Sequence, residues 1–102
     1  MAMKTFDINH QYSEMCEELY NYIIMRDEEL CTSCGMRGDH VHHITFRSAG
    51  GKHIATNLAL VCRSCHDKIH FTGVKKSESN KMRQSIRDQI VMNEKRLRRN
   101  LV

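Results

Sequence analysis

Two cysteine pairs limit what this chain can become. Cys31-Thr-Ser-Cys34 and Cys62-Arg-Ser-Cys65 each leave two residues between their thiols, and 27 residues separate the pairs. At that spacing one turn of backbone presents both sulfurs to a single ion, and four thiolates complete a tetrahedron with no open position for water or substrate. The site is therefore expected to be structural, a Zn²⁺ clamping the start of a central segment to its end. Disulfide pairing is the alternative. It is disfavoured in a reducing compartment, and cytoplasmic placement is expected because the chain has neither an apolar run of about 18 residues nor a secretion-type N-terminus. No membrane contact is expected for the same reason. A clamp is needed: the 102 residues include three Phe, three Tyr and no Trp, and a domain of this size buries only about 60 to 65% of its unfolded surface.

The pairs divide the chain, expected to fold as one domain, into an N-terminal arm (1–30), a cysteine- and histidine-rich centre (31–74) and a C-terminal arm (75–102). Their net charges are −5, +3 and +6. A positive centre with a more positive tail points to an anionic polymer as partner, since neutralising phosphates releases condensed counterions. The acidic arm would face away from it. Tyr12, Met15, Leu19, Tyr22 and Ile23 recur at helical steps and predict an amphipathic helix over 13–26, with Cys16 as a small buried apolar group. Met82, Ile86, Ile90, Leu97 and Leu101 form a four-residue ladder interrupted at Asn93, with Ser77 or Ser79 placed to cap the helix.

The centre changes period. Val41–Phe46 and Asn57–Val61 read as short strands around the turn residues 48–51. Residues 63–71 read as a short helix that Gly73 can end. The expected class is α+β, with strand, loop, strand and helix flanked by two helices. His66 and His70 lie four apart on one helical face, close enough to share an ion. In a strand, His42 and His43 point to opposite sides, so only one of them can readily join that pair.

At these residues the sequence resembles the HNH endonuclease family, of the ββα-metal type. The pieces are Val-His42-His43-Ile, Gly50-Gly51, Asn57-Leu58 and Cys62-Arg-Ser-Cys65-His66, interleaved with the two cysteine knuckles over about residues 31–70. The pair His42-His43 and the helical His66-x3-His70 also resemble the nuclease domains of DNA-cleaving colicins, which lack the knuckles. The resemblance implies a metal-dependent endonuclease that hydrolyses DNA phosphodiester bonds by nicking or double-strand cutting. It makes His43 the general base, Asn57 the residue that orients the loop and the His43 backbone, and His42, His66 and His70 the ligands of one catalytic divalent cation. Imidazole can accept a proton from water near pH 7, and a cation neutralises charge developing at the phosphate. Three imidazoles favour Zn²⁺, Ni²⁺, Co²⁺ or Mn²⁺ over Mg²⁺. The family often carries Asp where His42 stands, and often a proline where Thr45-Phe46-Arg47 stand.

Arg47, Lys52, Arg63 and Lys68 are the candidate DNA contacts. Arg47 is favoured because a guanidinium can make two parallel bonds to a phosphate. His10, His40 and His53 read as exposed or locally hydrogen-bonded. The small size resembles phage or prophage HNH proteins, which implies DNA-packaging proteins as partners and a monomer or homodimer. The rival class is a zinc-stabilised nucleic-acid-binding or adaptor protein without catalysis.

Overall fold

In the computed structural model residues 6–70 and 75–100 are described, Arg47 and Asn100 by their backbone alone. The architecture is small and α+β. A two-stranded antiparallel sheet, β1 (His40–His43) with β2 (Leu58–Val61), pairs His42 with Ala59 and His43 with Leu58. All four residues of β2 are buried, as a strand covered on both faces must be. Ala59 and Val61 join Ile44 and Ile69 of α2 (Arg63–Ile69), with Ile86 and Ile90 of α3 (Lys76–Asn100), in one apolar cluster. Leu58 and Leu60 face the other way, against Leu19, Tyr22 and Ile23 of α1 (Glu17–Arg26). The sheet therefore lies between α1 on one face and α2 with α3 on the other. The period of two in β1 sends neighbouring histidines to different layers. Among the described residues no helix is long and apolar enough to cross a membrane.

Helix α1 begins at Glu17, later than its periodicity predicts, with Cys16 as a partly buried N-cap. Tertiary pairing prevails over periodicity here. The Tyr12 amide donates to the His53 carbonyl at 2.8 Å, which extends the chain ahead of the helix. Phe6 stacks on Tyr22 at 4.1 Å and Tyr12 packs against the same cluster. Glu17 and Glu18 in the first turn complement the helix dipole.

Asn93 does not break α3. It is buried, and its amide donates to Asp27 Oδ1 at 2.8 Å. Asp27 takes a two-pronged ion pair from the fully buried Arg26 at 2.8 and 2.9 Å and accepts the Leu60 amide at 2.9 Å. Arg26 donates onward to the carbonyls of Ala55 and Leu58. The Tyr22 hydroxyl donates to Glu94 at 3.0 Å; burial and then the Glu94 charge push the phenol above its ordinary range. A polar network thus joins α1, β2 and α3 with its charges paired as burial requires, Glu94 Oε1 lying 3.6 Å from Arg26 Nη1 without a hydrogen bond of its own. Ser79 is likewise no cap for α3. It is buried, and its hydroxyl donates to the Ile69 carbonyl at 2.6 Å, fastening the end of α2 to the start of α3. Gly73 and Leu101 lie outside the described residues.

The loop between the strands turns sharply at Gly50, whose φ of +84° suits glycine. At Gly51 a Cβ would overlap the Thr45 carbonyl. That close approach lets the loop fold back over the end of β1.

Candidate metal and nuclease site

The two knuckles converge. Sγ atoms of Cys31, Cys34, Cys62 and Cys65 all lie within 4.8 Å of one another, with Cys34 and Cys62 at 3.7 Å. An ion with sulfur bonds of about 2.3 Å needs a tetrahedral edge of about 3.8 Å, whereas a disulfide needs about 2.05 Å. All five cysteines are free thiols. Backbone amides point at the sulfurs, Ser33 and Cys34 toward Cys31 and Cys65 toward Cys62, each at 3.4 Å. Burial alone would raise the Cys31 thiol, but donors from Cys34, Cys62 and Ser33 together outweigh it and bring it down to about 7. Burial pushes Cys65 up to about 12. The four cysteines are thus placed to hold a structural metal, whose charge would allow all four to be thiolates.

A second cluster forms where β1 meets α2. Ring nitrogens of His42, His66 and His70 lie within 4.8 Å of one another. Helical spacing brings His66 and His70 to 4.5 Å between ring centres, and the strand brings His42 to 5.1 and 5.2 Å from them. His42 Nε2 is buried without a hydrogen-bond partner. Burial, then the neighbouring imidazoles and Arg83, lower its pKa to about 3. His66 is also lowered, by burial first and then by His70 and His40, with Asp67 opposing. Three converging imidazoles around an orphaned buried nitrogen suit a cation. The centre of the exposed His40 ring is 5.4 Å from that of His66, outside the set of three.

His43 turns to the other layer, yet lines the same open cavity as His42, His66 and His70. That cavity holds about 420 Å³ and also touches Val41, Phe46 and Ser48. His43 Nε2 lies 3.0 Å from Nδ1 of His53, which is buried rather than exposed. Asn57 organises the intervening loop: its Oδ1 accepts the Thr45 amide at 2.8 Å, and its Nδ2 donates to the carbonyls of Thr45 at 3.3 Å and Lys52 at 3.0 Å. One side chain thereby holds the segments that follow His43 and precede His53.

Lys52, Arg63 and Lys68 are exposed and do not line the cavity. The Arg47 side chain lies outside what is described. Sequence reasoning gave Phe46 and Arg83 no role at the site and read His53 only as exposed or locally hydrogen-bonded. Phe46 stacks on His70 at 5.0 Å and 14°; Arg83 of α3 sits over Phe46 at 4.8 Å; and His53 faces His43. Spacing carries no trace of Arg83. For His53, its place two residues after Gly51, where the loop folds back onto Thr45, was the available hint.

Residues 31–72 match the HNH endonuclease family model. A Lactococcus phage SK1 protein described as a probable HNH endonuclease is 35% identical over 57 residues, which cover 47% of this chain and 61% of that protein. The chain thus spans about 61% of the length of the relative it matches.

Proposed function

We propose, on the premise that residues 31–72 place this chain in the HNH endonuclease family, that it is a metal-dependent endodeoxyribonuclease with His43 as general base. The observation that carries this reading is the division of labour in one cavity: three imidazoles converge, while a fourth lines the same space from outside their set. His42, His66 and His70 would hold one divalent cation, and Cys31, Cys34, Cys62 and Cys65 a structural Zn²⁺. The cation, when bound, supplies positive charge to a phosphodiester whose own anionic oxygens repel nucleophiles. His43 takes the proton from the attacking water, a role worth about 10² to 10⁴ in rate. His53 holds the His43 ring through their 3.0 Å contact, and Asn57 keeps both imidazoles in register through Thr45 and Lys52. The substrate is DNA, cut by nicking or in both strands, by a monomer or homodimer that acts beside phage packaging proteins. Lys52, Arg63 and Lys68, with Arg47, attract the flanking backbone.

Supercoiled plasmid incubated with the protein and a panel of divalent ions tests the proposal. Conversion to open circles that falls by about 10² or more in His43→Ala, in a variant that keeps its zinc and its fold, is the expected result. Equal nicking by the variant refutes His43 as base. Binding of DNA without nicking under any ion favours the non-catalytic adaptor, and faster cleavage of a matched RNA duplex replaces the substrate.

A further inference from the structure

The three-imidazole set has no carboxylate of its own, so a divalent ion held there would keep its full charge. A fixed positive group nevertheless lies against the same site. Arg83 places its guanidinium carbon 4.8 Å from the centre of the Phe46 ring. Phe46 in turn stacks on His70 and meets His42 edge-on at 5.8 Å. Among the described residues Arg83 forms no ion pair. Its Nη2 donates to the Asn80 amide oxygen, and its Nε is buried without an acceptor. One turn later, Arg87 Nη2 reaches the Thr45 hydroxyl at 3.5 Å, again without an ion pair among the described residues.

A guanidinium beside a cation site repels that cation unless an anion joins them. An aromatic ring and an amide hold Arg83 in place, which lowers the entropy lost when a planar fork receives oxygen acceptors. Arg83 contacts Phe46 but does not line the cavity that the imidazoles share, which places it to meet backbone beside the phosphate at that cavity rather than that phosphate itself.

Resting on the nuclease reading above, we propose that Arg83, supported by Arg87, binds the DNA phosphate adjoining the one that is cut. This contact comes from α3, outside the 31–72 segment that matches the family model. It would make the C-terminal helix part of the substrate site.

The test measures KM and kcat for plasmid nicking over a range of salt, together with calorimetric affinity for the divalent ion, in Arg83→Ala and Arg83→Lys. Arg83→Ala is expected to raise KM roughly tenfold or more, with a much smaller change in kcat. It should also flatten the log KM against log salt slope by about one unit. Its ion affinity should stay equal or tighten, because a repelling charge is gone. Arg83→Lys should keep the slope and lose part of the KM. A wild-type KM and slope in Arg83→Ala overturns the proposal. So does an ion affinity that weakens in step with cleavage, since Arg83 would then act only by propping Phe46 against His70. Nicking that depends on His43 but not on Arg83 sinks this inference alone; DNA binding with no nicking under any ion sinks the nuclease reading beneath it.

Discussion

Replacing Asn57 probes the loop that joins the two proposed functional histidines. The Asn57 side chain makes three hydrogen bonds, one accepted from the Thr45 amide and two donated to the carbonyls of Thr45 and Lys52. At about 1 kcal/mol net for each bond, with the Thr45 amide left unsatisfied, Asn57→Ala should cost about 2 to 4 kcal/mol. For a domain near this length that lowers the unfolding midpoint by roughly 10 to 20 °C. Asn57→Asp is the sharper variant. It keeps the acceptor for Thr45 but sets a carboxylate oxygen against two carbonyls, so its loss should match or exceed that of alanine near neutral pH. Circular dichroism of the zinc-loaded proteins measures the stability, and plasmid nicking well below both midpoints measures the site. Nicking should fall in both variants even where they remain folded, because Thr45 and Lys52 adjoin the segments that carry His43 and His53. An Asn57→Ala protein within about 0.5 kcal/mol of wild type, nicking within twofold of it, would refute the loop-clamp argument.

If the four cysteines hold a structural zinc as proposed, its removal should unfold the centre. A chelator strong enough to strip zinc should abolish the cooperative thermal transition, and zinc alone should restore it; an unchanged transition in zinc-free protein would show that the apolar clusters suffice. Acid should act through His42 in protein without an ion at the imidazoles. Its folded pKa, near 3, lies below the ordinary 6.5, so the unfolded chain binds the extra proton between those values. Stability should therefore fall as pH drops from about 6.5 toward 3, with the His42 contribution complete above that window. An NMR titration placing the His42 midpoint at or above 6.5 contradicts this.

The sequence by itself determined the chemistry-bearing frame. Metal ligation depends on short fixed spacings: C-x2-C within one turn, His66 and His70 on one helical face, and a period of two that separates His42 from His43. These are local rules, and residues 31–70 obey them whatever packs around them. Tertiary structure decided what the arms do. Tyr12 pairs with His53 and so delays α1. Asn93 meets Asp27 across the core, where the apolar ladder alone reads it as an interruption. Arg83, a surface charge by its helical pattern, reaches Phe46 from 37 residues away in sequence. Contacts between elements depend on how their axes cross and on which polar atoms burial leaves in want of a partner, and no single segment encodes either.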